Sequence, residues 1–469
     1  MNDRPTPRLP RSTRRAFLGQ SACAAVGMTA VANTIFDLRR IAAAAETSDY
    51  RALVCVFLYG GNDANNTLVP AVGGDYAAYA AARGALALPQ SSLLGLVPLA
   101  GVAGDSREWG LHPSLAGVQR LFHEGRAAIV ANVGPLVAPV TRADFLGRTA
   151  ALPPQLFSHS DQTVHWQTSL PDQPARTGWG GRVADLLHSL NGNARLSMSI
   201  SVGGTNTFQV GDVVTQYQVA PEGPTGLVSY VPAEAGAHAG SQAVRSLLGG
   251  SYGNLFERGY RGIFQRALDN QELLAGALEG APALAAGFPE TGLGAQLAMI
   301  ARLISVRETL GLRRQVFFCA AQGFDTHDSQ IGASPLVGAH ADLLAEVDGA
   351  LAAFEAAMSE LGVADSVTAF TASDFGRAFL PNGNGSDHGW GGHHFVVGGA
   401  VHGGRLYGQP PSLAIDGPED AGEGRWIPTT SVDEYAATLA RWFGVAESDM
   451  GLVLPNLGRF ASTDLGFLG

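Results

Sequence analysis

Five short runs of apolar residues recur along the chain, each bounded by glycine, aspartate, asparagine or proline. They lack the apolar–polar alternation of a half-exposed strand, so each run predicts a strand that is covered on both faces. The predicted strands span residues 52–59, 127–133, 315–321, 366–372 and 395–401.

Between these runs, apolar residues at three- and four-residue spacing predict helices, most clearly over residues 295–312 and 336–361. A further helix begins at Ser431, where Glu434 completes a capping box. Residues 190–260 are richer in glycine, serine, valine and threonine, and they predict a small irregular or antiparallel insertion. The alternation of strands and helices indicates an α/β fold with a doubly wound, mostly parallel sheet and helices on both faces.

The N-terminal segment has the three regions of a signal peptide. Arg14 and Arg15 precede an apolar stretch over residues 17–36, and a run of alanines follows. Polar residues interrupt this stretch, which makes it a poor membrane span. We therefore expect residues 1–45 to be a twin-arginine signal peptide, removed after export to leave residues 46–469 as a single periplasmic or secreted domain. The alternative is a disordered N-terminus without a targeting role.

Charge and composition exclude several functions. Residues 1–45 carry seven arginines against Asp3 and Asp37, so the formal net charge of −11 becomes −16 without them. An acidic domain of this kind is not expected to bind nucleic acid or a membrane surface, and we expect no stable membrane anchor. The chain contains no lysine, which excludes Schiff-base chemistry, attachment of pyridoxal phosphate and a P-loop.

Carboxylates and imidazoles follow three of the predicted strands. Asp63 comes after the first strand, Asp325 and His327 after the third, and Asp374 after the fourth, with His388 in the next loop. The carboxyl ends of parallel strands meet at one edge of a sheet, so we expect these five residues to form one cluster. Anionic oxygen and neutral nitrogen on rigid elements suit a divalent metal ion, which we take to be zinc, manganese or calcium.

Each of these residues also has a purely structural alternative. Asp63 follows two glycines and could form an Asx turn. Asp325 and Asp374 could each cap the N-terminus of a helix. His393 and His394 cannot face the same way in an extended strand, so at most one of them is a candidate ligand.

Several motifs together resemble the bacterial family catalogued as domain of unknown function 1501. They are Gly60-Gly61-Asn62-Asp63, Ser158-His159, Gly323-Phe324-Asp325-Thr326-His327, Ser373-Asp374-Phe375-Gly376-Arg377, Asp387-His388-Gly389-Trp390-Gly391 and Pro428-Thr429-Thr430-Ser431-Val432-Asp433. That family is in turn similar to the alkaline phosphatase and sulfatase superfamily. The resemblance implies an alkaline-phosphatase-like α/β domain with metal-binding Asp and His residues at its strand ends, arranged around a nucleophile.

Carried over by position, the resemblance gives each of these residues a role. Asp63 would match the first-strand metal aspartate of that superfamily, and Asp325 with His327 would match its Asp-plus-His pair. Asp374 stands where those enzymes have an Asp-His pair, but the next residue here is Phe375. One imidazole is therefore missing at this position.

The roles of the missing imidazole, the nucleophile and the substrate-binding arginine remain to be assigned. His388 or His393 would have to supply the missing imidazole. Ser158 is the best match to the nucleophile by its order along the chain, and its alternative role is a helix N-cap. Arg377 would form a bidentate contact to a phosphoryl or sulfuryl group, or pair with a neighbouring carboxylate.

The function implied by the resemblance is an exported metal-dependent hydrolase of phosphate or sulfate esters. Its partners would be the twin-arginine export machinery and a small anionic ester substrate. The alternative is a non-catalytic exported binding or assembly protein that keeps a hydrolase-like scaffold.

Overall fold

The computed structural model describes residues 50–98, 105–227, 230 and 239–469. The predicted signal peptide at residues 1–45 lies outside them. Within the described ranges, every helix is too short or too polar to cross a membrane.

The strands and helices alternate along most of the chain. The strands are β1 (Arg51–Leu58), β2 (Leu68–Pro70), β3 (Leu94–Gly95), β4 (Trp109–Leu111), β5 (Ala127–Gly134), β6 (Ser199–Ser201), β7 (Tyr217–Gln218), β8 (Arg314–Ala321), β9 (Val367–Ser373), β10 (Arg377–Pro381), β11 (Ser386–His388), β12 (Gly392–Val397), β13 (Leu406–Tyr407) and β14 (Thr430–Ser431). The α-helices are α1 (Ala64–Thr67), α2 (Gly73–Arg83), α3 (Ala116–His123), α4 (Arg142–Gly147), α5 (His159–Thr168), α6 (Trp179–Leu187), α7 (Ala239–Gly249), α8 (Leu255–Glu279), α9 (Gly292–Ser305), α10 (Ala339–Glu360), α11 (Val432–Phe443) and α12 (Met450–Val453).

The main sheet has the order β13-β5-β12-β9-β1-β8-β6-β7, and β14 also pairs with β5. Strand β1 is parallel to β8 and β9, and β6 is parallel to β7 and β8. Strand β12 is antiparallel to β5 and β9, whereas β13 and β14 run parallel to β5. The predicted mixed α/β fold with a mostly parallel central sheet is therefore confirmed.

Two apolar cores lie on opposite faces of this sheet. Neighbouring residues of β8 divide between them, because Phe317 belongs to the core that includes Ile300 and Phe354, and Phe318 to the core that includes Tyr435. Burying a side chain of this size contributes about 1.5–3 kcal/mol. Burial on both faces explains why the strand sequences show no alternation.

Two sequence predictions need correction. The predicted strand at residues 395–401 is β12, which runs from Gly392 to Val397. The next residue, Gly398, passes so close to the Val367 carbonyl that a Cβ would lie 2.4 Å from its oxygen. Within the predicted insertion at residues 190–260, β6 and β7 are parallel strands that extend the main sheet, so antiparallel pairing is wrong for them.

The loops after β1, β8 and β9 meet at one edge of the sheet. Leu58 at the end of β1 is in register with Ala321 and Ser373 at the ends of the neighbouring strands. Gly60 then turns with φ +113°, and a Cβ on it would lie 2.2 Å from the backbone nitrogen of Asp325. Glycine is required here because the two loops touch through their backbones.

Candidate metal site

Asp325, His327 and His388 come together at this edge, as the sequence predicts. The Nε2 atom of His327 lies 2.6 Å from Nε2 of His388. The same Nε2 atom of His327 lies 3.2 Å from the carboxylate of Asp325. Nε2 of His388 lies 3.5 Å from that carboxylate. The Asp325 side chain is 49% exposed, so the cluster opens to solvent.

A third imidazole, that of His159, joins the cluster from the start of α5. Its Nε2 lies 3.4 Å from the carboxylate of Asp325, and its Nδ1 lies 2.7 Å from Oδ2 of Asp374. The Nε2 atom is buried and makes no hydrogen bond to any residue that the structure describes. Sequence reasoning did not select His159, although the Ser158-His159 motif was the signal that could have found it.

The Nδ1 atom of each imidazole faces an oxygen acceptor. Nδ1 of His388 donates to the backbone carbonyl of Phe157 at 2.6 Å, and Phe157 has a φ of +71°. Nδ1 of His327 lies 3.5 Å from the carboxylate of Asp387, and His159 has Asp374 as described. These contacts direct all three Nε2 atoms towards Asp325, which is the usual second-sphere arrangement of metal-binding histidines.

Among the described residues, two groups of three side chains have ligand atoms within 4.8 Å of one another. One group is His159, Asp325 and His388, and the other is His327, Asp387 and His388. The two groups share His388 and form one continuous patch. His388 lies at the end of β11 rather than in a loop after β9, and it belongs to both groups.

Phe375 forms an apolar wall of the cluster. The centroid of its ring lies 4.7 Å from those of His159 and His388. Gly61 makes room for this ring, since a Cβ there would lie 2.3 Å from it. The phenyl ring thus packs against two candidate ligands and restricts their orientation.

Asp63 lies apart from both groups and has structural partners. Its side chain is fully buried, forms an ion pair with Arg83 and accepts a hydrogen bond from Gln330 at 2.5 Å. It also caps α1 by accepting from the backbone N–H of Asn65 at 3.1 Å. Burial alone would raise the pKa of Asp63, but Arg83, His340, Gln330 and Arg377 together outweigh it and hold the pKa below its ordinary value. This arrangement corresponds to the structural alternative considered for Asp63.

Arg377 lies beneath Asp325 and is buried. Its guanidinium donates to the Asp325 carboxylate at 3.1 Å and to the Gly60 carbonyl at 2.8 Å. It also donates to the carbonyls of Phe324 and Ser386. Arg377 therefore joins the loops after β1 and β8 and fixes one ligand of the cluster.

Ser158 occupies the N-cap position of α5, directly before His159. Its hydroxyl makes no capping bond to the helix backbone. Instead, it donates to the carboxylate of Asp161 at 2.6 Å. Ser158 therefore has a proton acceptor within hydrogen-bond distance.

The pKa shifts in the cluster differ from residue to residue. The hydrogen bond to Asp374 raises the pKa of His159, whereas burial lowers the pKa of His388. Burial would raise the pKa of Asp325, but Arg377 and then His159 hold it below its ordinary value. Asp325 and His388 therefore lose their protons more readily than usual, whereas His159 holds its proton more strongly.

His393 and His394 lie elsewhere. Nδ1 of His393 accepts from the backbone N–H of Asn132 at 3.0 Å. The ring of His394 packs against Trp166, with 4.9 Å between the ring centroids. Both imidazoles are buried in the sheet and its packing, and neither belongs to the two groups above.

The comparisons with known proteins identify a family and distant structural relatives. Residues 50–447 match the profile of a family described as "Protein of unknown function (DUF1501)". No curated protein matches the chain. Among solved structures, Ps i-CgsB in complex with k-i-k-neocarrahexaose has 11% identity and a TM-score of 0.34, covering 88% of this chain and 77% of its own. The PsFucS1 sulfatase from Pseudoalteromonas sp. has 10% identity and a TM-score of 0.34, covering 88% and 72% respectively.

Proposed function

The chain belongs to the DUF1501 family, and we propose that it is an exported metal-dependent hydrolase of phosphate or sulfate esters. The metal is held by His159, His327, His388 and Asp325. The observation that carries the proposal is the convergence of three Nε2 atoms on one carboxylate, with each Nδ1 facing an oxygen acceptor.

This arrangement fits a cation because imidazole nitrogens crowd together in it, with Nε2 of His327 only 2.6 Å from Nε2 of His388. A carbonyl oxygen can only accept, so His388 carries its proton on Nδ1 and presents a lone pair at Nε2. His159 likewise directs its Nδ1 at the carboxylate of Asp374, and its buried Nε2 has no partner. Both Nε2 atoms face the Asp325 carboxylate. A metal ion would satisfy these lone pairs together.

Zinc is the ion we propose. Three imidazole nitrogens and one carboxylate give a nitrogen-rich ligand set, which suits zinc better than the oxygen-rich sites of calcium or manganese. Asp63 and Asp374 were also predicted to be ligands from the sequence. We now assign Asp374 the role of orienting His159, and Asp63 the role of pairing with Arg83.

A bound zinc ion would supply Lewis acidity, polarising an ester oxygen and neutralising the charge that develops in the transition state. We assign Ser158 as the nucleophile. Its oxygen would bond to phosphorus or sulfur as the ester bond breaks, and its proton would pass to Asp161, 2.6 Å away, and on to the departing alkoxide. Water would then hydrolyse the Ser158 ester, which releases phosphate or sulfate and restores the hydroxyl. Arg377 would hold Asp325 in position rather than contact the substrate, because its guanidinium already donates to three backbone carbonyls.

Metal analysis of protein purified from exporting cells tests this function. We expect a single bound zinc ion per chain and metal-dependent hydrolysis of 4-nitrophenyl phosphate or 4-nitrophenyl sulfate. His388→Ala should lose both the zinc and the hydrolysis. His402→Ala, at an exposed histidine outside the cluster, is the matched control and should keep both. Protein that carries no metal would contradict the proposal, and bound zinc without hydrolysis would favour the non-catalytic binding protein.

Export is the part of the proposal that rests on the sequence alone. Replacing Arg14 and Arg15 by lysine keeps the positive charge but removes the paired guanidinium groups. The precursor of this variant should stay in the cytoplasm, as judged by fractionation of the cells. Normal export of the variant would contradict a twin-arginine signal.

A further inference from the structure

The hairpin formed by α7 and the first half of α8 projects from the body of the protein. No residue between 242 and 267 is buried, although this stretch is described throughout. From Leu268 onwards α8 is anchored, since Leu268, Leu274 and Leu278 are buried. We call residues 242–267 the arm. The side chains of the arm belong to neither of the two apolar cores. Core packing therefore does not explain why so many of them are apolar.

The arm carries large exposed apolar side chains. Leu247, Leu255, Phe256, Tyr260 and Ile263 are between 61% and 84% exposed. They include both of the highly exposed aromatic rings found among the described residues. Phe256, Tyr260 and Ile263 follow one another at four- and three-residue spacing, so they share one face of α8. An apolar face of this kind marks an interaction surface.

A groove of about 550 Å³ runs between the two helices of the arm. Its apolar lining comes from Val244, Leu247, Tyr252, Phe256, Tyr260 and Phe264. The exposed face of α8 and this groove are continuous, since they share Phe256 and Tyr260. The apolar surface of the arm therefore extends across both helices.

The charge of the arm is opposite to that of the protein. Four arginines lie in the arm, namely Arg245, Arg258, Arg261 and Arg266, against the single acid Glu257. The arm thus carries a net charge of +3 within a chain whose formal net charge is −11. Arg258 and Arg261 donate to backbone carbonyls of the turn between the helices, which places positive charge beside the exposed apolar residues.

We propose that the arm docks the protein onto an anionic lipid bilayer. Phe256, Tyr260 and Ile263 would enter the interface between headgroups and acyl chains, and the arginines would contact anionic headgroups. Charge decides against pairing between the arms of two copies, because two positive surfaces would then meet. The acidic remainder of the protein would be repelled by the same bilayer, so docking would occur through the arm alone. This proposal does not depend on the metal site.

Hydrogen exchange of the full chain on lipid vesicles tests the proposal locally. The vesicles are made either of phosphatidylcholine or of an equal mixture of phosphatidylcholine and phosphatidylglycerol. We expect amide protection in peptides from the arm, on the anionic vesicles only, and we expect high salt to weaken it. Local protection separates the arm from the basic N-terminal segment, whose binding would protect other peptides.

A double variant provides the matched comparison. Phe256→Asp with Ile263→Asp removes the two apolar side chains at exposed positions, so folding should be retained. Its affinity for the anionic vesicles through the arm should fall by about tenfold or more. Val97→Asp with Leu146→Asp changes exposed apolar residues elsewhere and should leave protection of the arm unchanged.

Four results would overturn the proposal. The first two are absence of arm protection on both kinds of vesicle and equal protection on neutral and anionic ones. Protection that appears without vesicles and grows with protein concentration would identify a second copy as the occupant. Full protection in the Phe256→Asp and Ile263→Asp variant would show that these side chains do not enter the bilayer.

Discussion

Asp374 illustrates how a strand-end carboxylate can position a ligand of the proposed metal site without itself binding the metal. It is buried, accepts from the backbone N–H of Gly60 at 3.1 Å and lies 2.7 Å from Nδ1 of His159. Sequence position alone cannot distinguish this role from that of a ligand, because both place a carboxylate at the same edge. Whether Asp374 would bind a metal or position His159 depends on the direction in which its carboxylate points, and here it points to Nδ1 of His159.

Asp374→Asn should weaken zinc binding without abolishing it. The amide keeps the shape of the side chain but removes the negative charge that orients His159 and favours its Nδ1 proton. We expect zinc affinity to fall about 10–100-fold, measured by competition with a chromophoric chelator. Asp75→Asn, at an exposed carboxylate in α2, is the control. Unchanged affinity in Asp374→Asn would mean that His159 is not a ligand.

Arg83→Met should strongly destabilise the protein while leaving its metal content unchanged. The substitution would leave the buried carboxylate of Asp63 without its cation, which costs about 3–5 kcal/mol. The free energy of unfolding in urea measures this loss. Adding Asp63→Asn to Arg83→Met should recover part of the stability, because the unpaired charge is then gone. Loss of zinc from Asp63→Asn alone would instead identify Asp63 as a ligand.

His394 should make the protein less stable in acid. Burial lowers the pKa of His394 to about 3. The folded protein therefore binds a proton at this imidazole only in strong acid, whereas the unfolded chain binds one near pH 6.5. The stability contribution is fully present above about pH 6.5 and declines as the pH falls towards 3, by up to about 1.4 kcal/mol per pH unit. His394→Gln should therefore show a shallower loss of unfolding free energy between about pH 6.5 and 4.5. Identical slopes would contradict this assignment.

At the scale of elements, helix capping was predicted correctly for α11. Ser431 accepts from the backbone N–H of Glu434, and the Glu434 carboxylate accepts from the backbone N–H of Ser431. A capping box depends on residues three positions apart, so local sequence is enough to identify it. Ser158 has the same position at the start of α5, but its hydroxyl bonds to Asp161 instead.

This difference gives a paired prediction. Ser431→Ala should lower the free energy of unfolding by about 1 kcal/mol, because it removes a buried capping bond. Ser158→Ala should cost much less, since it removes no bond to a helix N–H. Both are measured by urea unfolding. Equal losses would mean that the hydroxyl of Ser158 caps α5 after all.

The central strands could also be predicted, because burial on both faces leaves a continuous apolar run. Strands β1, β5, β8 and β9 each begin and end within one residue of the predicted bounds. Strands β6 and β7 could not be predicted, because they are only three and two residues long. Their pairing depends on neighbouring strands far away in the chain, which local patterns do not encode.

At the scale of the whole molecule, the order of strands in the sheet determines which residues of the candidate site could be predicted from the sequence. Parallel pairing of β1, β8 and β9 brings their loops together, so the sequence could predict Asp325, His327 and His388. His159 begins a helix that follows no predicted strand, and its approach to the cluster depends on the path of the chain across the sheet. The same path separates Asp63 from the cluster by turning it towards Arg83 and α2.

The central claim is that His159, His327, His388 and Asp325 hold one zinc ion. Anomalous diffraction at the zinc absorption edge, from crystals of the exported protein, tests it most directly. We predict a single peak about 2.0–2.2 Å from the three Nε2 atoms and a carboxylate oxygen of Asp325. A peak bound to other residues, or the absence of any peak at this cluster, would contradict the claim.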